Sequence, residues 1–438
     1  MAVLPYESLA RRVLTDLSAG NCAALVGLSN TGKSTLMRAL AGQSAERIYA
    51  KLCGRKVVLI YVDCNRAVAI SAQGFYEVVL RSLLEALADQ VALDVTARLR
   101  GHHQEVTDAA TAFNASLSFN LALTDLCEQL KRDLVLLIDE FDELYTTLDD
   151  RALLNLRALR DRFKDRLGYV TATVRALPAL RGASVEDEFA EMFAQSTYPM
   201  PPLDEDEARQ ILGSLNLANL STKRVATCLE LAGGHMGLLV AAAQVVAGME
   251  TDQLGEALAV VGQEPTPRAE CLKIWNQLTP EEQEAIVCLV VEPSSSLPPQ
   301  QLEHLEALGL VCEGWLFSPM FEAFVMRRQR GPETAEAGVR LDPDSGDVWV
   351  DEVRIPVLTD LEYKLLQLLH ERRDKLTDKY QIVTAVWGEG YLDEIDDARV
   401  EKLVSRLRSK IEQDPAAPRY LITQRGRGYK LLSRPKAE

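Results

Sequence analysis

The segment Gly27-Leu-Ser-Asn-Thr-Gly-Lys-Ser34 limits what this chain can fold into more than any other. It matches G-x-x-x-x-G-K-[ST] and lies between an apolar run, Ala23-Ala-Leu-Val-Gly27, and a helical stretch. Glycines let successive backbone N–H groups turn inward around an anion, and the unpaired N–H groups of a helix start reinforce that cradle. Three more runs follow: Lys56-Val-Val-Leu-Ile-Tyr-Val62, Leu134-Val-Leu-Leu-Ile138 and Leu167-Gly-Tyr-Val-Thr-Ala-Thr173. They are short, apolar and do not alternate, as parallel strands buried on both faces read. The expected fold is an α/β P-loop domain with a parallel sheet.

The loop assigns its own chemistry. Lys33 is expected to reach β- and γ-phosphates, Ser34 to ligate Mg²⁺ and Thr35 to support the α-phosphate, with Gly27, Asn30, Thr31 and Gly32 lining the cradle. About a hundred residues on, Leu134-Val-Leu-Leu-Ile-Asp-Glu-Phe-Asp-Glu143 has the form of a Walker B strand. Such a strand delivers Asp139 to the metal shell and Glu140 to the attacking water. Asp142 and Glu143 read as a solvated helix start. After the next strand, Thr173 or Arg175 is placed to sense a γ-phosphate, and a plain surface arginine is the open alternative at Arg175. The implied cofactors are ATP/ADP and Mg²⁺, with slow hydrolysis serving as a switch.

At 438 residues the chain exceeds one hydrophobic core. The sequence divides into a P-loop domain (1–202), a helical lid-like domain (203–265), a first winged helix (266–330), a linker (331–338) and a last domain (339–434). Tyr198-Pro-Met-Pro-Pro-Leu-Asp204 ends the strand–helix alternation, because successive prolines remove donors. Thr279 with Glu282 forms a capping box. No apolar run approaches the ~20 residues of a membrane span, the first residues lack the order of a secretory signal, and the eight cysteines are scattered singly. A cytoplasmic chain with no membrane partner is expected.

The net charge of −16 argues against coating nucleic acid along the whole surface. From Arg399 onward, however, eleven Lys or Arg stand against four Asp or Glu. That charge is patterned. Helices are expected to start at Leu358-Thr-Asp-Leu-Glu362, with Leu361, Leu365, Leu368 and Leu369 inward, and near Lys379, with Ile382, Val383, Val386 and Trp387 inward. A third, about Ala398 to Glu412, carries Val400, Leu403, Val404, Leu407 and Ile411 as one stripe, and Lys402, Ser405, Arg406 and Ser409 opposite, with Arg399 beside them. Tyr420-Leu-Ile-Thr-Gln-Arg-Gly-Arg-Gly-Tyr-Lys-Leu-Leu432 reads as a hairpin with Arg425 and Arg427 at its tip. A cationic helix beside a basic wing suits double-stranded DNA, the helix reading the major groove and the wing following the backbone.

Over roughly residues 1–330 the chain resembles the AAA+ and STAND ATPases, particularly the branch with archaeal signal ATPases and origin-recognition ATPases. Leu231-Ala-Gly-Gly-His-Met-Gly-Leu-Leu239 is similar to that family's G-G-x-P-x-x-L segment, with Met236 in place of proline. Phe317-Ser-Pro-Met-Phe-Glu-Ala-Phe324 stands where NB-ARC members carry Met-His-Asp and lacks the histidine. The adenine-side Gly-Arg-Glu is absent, leaving Leu4, Pro5 and Tyr6 as candidates, and His235 as either a nucleotide neighbour or a structural residue. The last domain resembles the OmpR/PhoB winged helices through Leu358-Thr-x-x-Glu362, Val386-Trp-Gly388, Val400-x-x-x-Val-Ser-Arg-Leu-Arg-x-Lys-Ile-Glu412 and Thr423-x-Arg-Gly-x-Gly-Tyr429. That resemblance implies that Lys402, Ser405 and Arg406 approach bases or phosphates, Arg408 and Lys410 phosphates, and Arg425 and Arg427 the wing contact; Leu403 replaces a commonly polar position.

Together these readings imply a nucleotide-gated transcription regulator, cytoplasmic and nucleoid-associated when bound. It is expected to form homo-oligomers when ATP-bound and to meet RNA polymerase or a signalling protein. The alternatives are a DNA-associated AAA+ initiator or loader, and a STAND-type stress or defence switch.

Overall fold

A computed structural model describes residues 4–88, 90–182, 187–215, 220–291, 297–312, 314–330, 338–341, 347–351, 353–355, 358–387, 397–412, 414–415, 417–424, 427–433 and 435. The chain divides into two compact units, Met1–Glu322 and Ala323–Glu438.

The first unit opens with α1 (Glu7–Ser18), β1 (Ala23–Val26), α2 (Lys33–Leu40), α3 (Gln43–Cys53) and β2 (Val57–Asp63). Three helices, α4 (Ala72–Leu87), α5 (Leu93–Thr107) and α6 (Ala112–Gln129), precede β3 (Asp133–Asp139). Then come α7 (Asp142–Thr147), α8 (Asp150–Arg162), β4 (Leu167–Thr173), α9 (Leu177–Arg181), α10 (Glu188–Glu191) and β5 (Thr197–Pro199). The five strands form one parallel sheet in the order β2-β3-β4-β1-β5. All seven residues of β3 are buried, which is why that run carries no polar alternation.

The fifth strand corrects the sequence reading, which ended the sheet before Tyr198. Tyr198 and Pro199 pair with Leu25 and Val26 at the sheet edge. An edge strand tolerates proline because one row of its backbone groups has no partner to lose.

A helical segment follows: α11 (Glu205–Ser214), α12 (Thr222–Ala232), α13 (Met236–Val246) and α14 (Ala257–Val261). Asp204 and Glu207 close a reciprocal capping box at its entry. Next are α15 (Pro265–Asn276), α16 (Pro280–Val291), α17 (Pro299–Ala307), the antiparallel pair β6 (Val311–Cys312) and β7 (Trp315–Leu316), and α18 (Pro319–Arg330), which contains the division between units. Helices followed by a hairpin are the order expected of the first winged helix. Gly233, at φ 58°, ends α12, and a Cβ there would fall 1.7 Å from the Phe317 carbonyl oxygen. Only glycine lets the two segments approach so closely.

In the second unit, β8 (Val339–Leu341), β9 (Val348–Val350) and β10 (Val353–Arg354) form an antiparallel sheet in the order β10-β9-β8. Residues 331–337 of the expected linker (331–338), and residues 342–346 between β8 and β9, lie outside the described residues, while α18 runs to Arg330. Three helices follow, α19 (Asp360–Glu371), α20 (Lys379–Val386) and α21 (Asp397–Ile411), then the hairpin β11 (Leu421–Gln424) and β12 (Gly428–Leu431). This is a winged helix. Val400, Leu403, Val404, Leu407 and Ile411 are buried against Leu365, Leu366, Leu369, Ile382, Val383 and Val386. The expected stripe on α19 is out of phase in one place: Leu361 is 37% exposed and Leu366 is buried. Gly428, at φ 130°, lets β12 meet Thr377 through paired backbone hydrogen bonds with Tyr429, both 2.9 Å.

Candidate functional site

Parallel strands deliver their carboxyl ends to one edge, and here β1, β3 and β4 do so side by side. Asn30, Gly32, Lys33, Ser34, Thr35 and Glu140 line a common cleft of about 530 Å³, and Met236, Gly237 and Glu270 face them across it. Gly27 and Thr31 belong to the same loop; Tyr6 O–H donates to the Thr31 carbonyl at 2.6 Å.

Lys33 is 6% exposed, and its Nζ donates to the carbonyls of Gly27 (2.6 Å) and Leu28 (3.0 Å). Burial pulls its pKa down, opposed by Glu140, Asp142 and Asp139. Asp139, at the end of β3, is fully buried and accepts from Tyr61 O–H (2.7 Å) and the Glu140 N–H (3.1 Å). Glu140 itself adopts φ 53°, a left-handed conformation that costs energy for any side chain. Among the described residues no group of three or more His, Cys, Asp or Glu side chains converges as a metal cage. A serine hydroxyl and an aspartate carboxylate, the donor types at Ser34 and Asp139, are oxygen donors of the kind Mg²⁺ takes while keeping waters and phosphates as its other ligands. The residues fit that ion.

Asp142 departs from the expected solvated helix start: its carboxylate accepts the Val174 N–H at 2.8 Å, tying β3's exit to β4's. Thr173 is buried, and its hydroxyl donates to the Arg175 carbonyl at 2.7 Å, fixing the bend after β4. Arg175 is neither a free surface arginine nor in the cleft lining. Its guanidinium grips Glu282 through two bonds of 2.6 and 2.7 Å and donates to the Gln277 carbonyl at 3.1 Å. Burial pushes the Glu282 carboxyl up, yet Arg175, His304 and the Thr279 N–H together hold it at about 2. The Thr279–Glu282 capping box is present as read.

Sequence reasoning missed a set of contacts on the apex of the loop. Gln277 Oε1 accepts the Ser29 N–H at 2.8 Å, Glu270 accepts from the Asn30 amide at 2.7 Å, and the Gly237 N–H donates to the Asn30 carbonyl at 2.9 Å. Their separations of more than 200 residues leave no local signal. Met236, in the expected proline position, sets its sulfur 3.6 Å from the Thr35 hydroxyl.

His235 takes the structural role of the two left open. Its Nε2 donates to the Ser29 carbonyl at 2.9 Å, and its Nδ1 accepts the Leu238 N–H at 3.3 Å, capping α13. The Nδ1 contact requires the neutral ring, whereas the Nε2 contact survives protonation; burial outweighs it and lowers the pKa to about 4. Between that value and ~6.5 the unfolded chain binds the proton and the folded one does not, so stability falls as pH falls through this window, by up to about 1.4 kcal/mol per unit. His235→Asn keeps the cap and removes the titration. Urea unfolding between pH 6.5 and 4.5 is expected to show a steeper acid loss for wild type than for the variant, and parallel curves would refute the assignment.

In the second unit, Arg399, Lys402, Ser405, Arg406 and Ser409 lie exposed on α21, and Arg427 is exposed at the hairpin. Arg425 lies outside the described residues. Arg408 and Lys410, expected at phosphates, are bonded within the unit. Arg408 donates to the Leu421 carbonyl (2.9 and 2.6 Å) and the Thr423 hydroxyl (2.7 Å), pinning the hairpin to α21. Lys410 pairs with Glu362 at 2.7 Å, whose carboxylate also accepts the Thr359 N–H. Glu412 collects the N–H groups of Arg419, Tyr420 and Leu421 at 2.7–2.9 Å, a role no local pattern announced.

Two family models match this chain: "AAA domain" over residues 15–170 and "Transcriptional regulatory protein, C terminal" over residues 355–431. The chain joins an AAA-type P-loop ATPase domain to an OmpR/PhoB-type regulatory domain. The regulatory domain is 40% identical over 92 residues to the uncharacterized transcriptional regulatory protein YrkP of Bacillus subtilis, covering 21% of this chain and 39% of that protein. The chain thus spans well under half of that relative's length. A second relative, the sensory transduction protein RegX3 of Mycolicibacterium smegmatis, is 29% identical over 169 residues, 33% of this chain and 72% of that protein. Among solved structures, the Aeropyrum pernix ORC2 protein aligns with a TM-score of 0.42 at 14% identity, covering 74% of this chain and 94% of that one. A Walker-type ATPase of Pyrococcus abyssi gives 0.45 at 14% identity, covering 74% and 96%. Among the described residues no helix is long and apolar enough to cross a membrane.

Proposed function

We propose that this protein is an ATP-gated transcription regulator, in which nucleotide at the P-loop controls how the winged helix engages double-stranded DNA. The observation that carries the reading is the grip of α13 and α15, with the residues at their ends, on the loop's apex: Ser29 and Asn30 are bonded to His235, Gly237, Glu270 and Gln277. Whatever occupies the cradle must meet those elements, so nucleotide has differential contacts with which to shift a conformational equilibrium. Lys33 holds β- and γ-phosphate oxygens, the backbone from Gly27 to Gly32 wraps them, and Thr35 supports the α-phosphate. Ser34 and Asp139 hold Mg²⁺, which supplies charge neutralisation when bound. Glu140 orients the attacking water. Arg399, Lys402, Ser405 and Arg406, with Arg425 and Arg427 at the wing, meet the duplex.

The working divisions are 1–202, 203–265, 266–330 and 339–434. One reader with few phosphate contacts binds weakly, so ATP-dependent self-association on repeated half-sites supplies avidity. RNA polymerase is the partner class that promoter control would add. Genome-wide occupancy of wild type beside Lys33→Ala tests the proposal: a few sharp promoter sites lost in the variant support it. Occupancy unchanged in the variant, or centred on replication origins, would sink it.

A further inference from the structure

Arg175 stands two residues beyond β4, between the strands that carry the P-loop and the Walker B carboxylate. The end of β4 is stitched to both neighbours. The Gly27 N–H donates to the Thr173 carbonyl at 3.1 Å, and the Phe141 N–H donates to the Ala172 carbonyl at 3.2 Å. In open parallel sheets this edge is where a ligand sits. Yet the guanidinium is occupied. Glu282, 4% exposed, takes two of its donors, and the Gln277 carbonyl takes a further contact. The same corner reaches the P-loop itself, since Gln277 also accepts the Ser29 N–H. His304, by contrast, donates to Glu282 at 2.7 Å from an exposed position and leaves Arg175 untouched.

We propose that Glu282 sets the preference of the cleft for nucleoside diphosphate over triphosphate, by holding at the sheet edge the Arg175 guanidinium that a terminal phosphate would otherwise recruit beside Arg38, which already lines the cleft. The inference rests on the cleft binding adenine nucleotide. A carboxylate and a phosphate are rival oxyanions for the same planar fork of donors. A diphosphate leaves the clasp between Arg175 and Glu282 intact. A triphosphate must take Arg175 away from Glu282, and a buried carboxylate that loses its guanidinium and keeps only His304 and the Thr279 N–H is costly. The corner between α15 and α16 then moves off the sheet edge, and Gln277 leaves Ser29 with it. The identity of the nucleotide is converted in this way into the position of the segment that follows the helical domain.

The test is titration calorimetry of the full chain with Mg·ADP and with the non-hydrolysable Mg·AMPPNP. Glu282→Gln keeps an oxygen to accept the Thr279 N–H and so preserves the start of α16, but offers Arg175 no second acceptor. It is expected to tighten Mg·AMPPNP by about tenfold, the scale of one hydrogen bond to a charged group, and to leave Mg·ADP unchanged. Arg175→Ala is expected to weaken only the triphosphate analogue, and Glu282→Gln added to it to give no gain. Should Glu282→Gln fail to fold, Glu282→Asp, which withdraws the charge by one methylene, is expected to shift the ratio in the same direction. Equal changes for both nucleotides, no change, or a gain that survives Arg175→Ala overturns the proposal. Absence of nucleotide binding by wild type overturns instead the reading on which it rests, and Lys33→Ala, expected to lose both ligands, marks that outcome apart.

Discussion

Lys33→Ala is expected to weaken Mg·ATP binding by roughly 10- to 100-fold, the worth of one or two hydrogen bonds from a charged donor. The ammonium is almost fully buried beneath the loop and already bonded to the carbonyls of Gly27 and Leu28. A bound polyphosphate offers it stronger acceptors, and no neighbouring lysine of the loop can replace it. The cost to the fold is expected to be small, because the Thr31 hydroxyl still donates to the Leu28 carbonyl at 2.8 Å. Calorimetric titration together with the urea midpoint separates the two effects. Undiminished affinity in a folded variant would remove Lys33 from the site.

The second large effect lies at the other end of the chain. Arg406→Ala with Arg427→Ala is expected to weaken duplex binding about 100-fold and to lower the salt dependence by about two counterions, while stability stays within about 0.5 kcal/mol. Both residues are exposed, one on the outer face of α21 and one at the hairpin. Arg408→Ala supplies the contrast. Its guanidinium holds the Leu421 carbonyl and the Thr423 hydroxyl, so its loss is expected to destabilise the winged helix by about 1–3 kcal/mol through stranded acceptors. Fluorescence anisotropy over a salt series, beside thermal melts, distinguishes a contact residue from a pin. Equal behaviour of the two sets would contradict the division of labour on α21.

That division shows where a sequence stops speaking. The periodicity of Val400 to Ile411 marks the buried face of α21 because period and burial are local properties of one helix. The same period shows Arg408 and Lys410 only as cations. Their acceptors, Leu421 and Glu362, lie 13 and 48 residues away. On α19 the run Leu365-Leu366-Gln367-Leu368-Leu369 offers overlapping stripes, and packing rather than spacing selected Leu366 over Leu361. The buried strands of the sheet were legible because continuous apolar runs admit few other readings, whereas the edge strand at Tyr198 was masked by prolines that only an edge accommodates.

The cleft divides in the same way. The P-loop and Walker B residues announce themselves by motif, and the fold gathers Lys33, Ser34, Thr35 and Glu140 around one cavity. Glu270, Gln277 and Glu282 carry no motif toward the loop, and Glu282 is visible in the sequence only as half of a capping box. Long-range polar partners are chosen by topology, and topology is what a linear pattern encodes least directly.

The most direct measurement of the coupling is the affinity of the purified chain for a promoter duplex, drawn from its own occupancy sites, in Mg·ATP, in Mg·ADP and without nucleotide. Affinity or binding stoichiometry is expected to differ between the ATP and nucleotide-free conditions for wild type and to be the same for Lys33→Ala. Identical binding by wild type in all three would contradict the account.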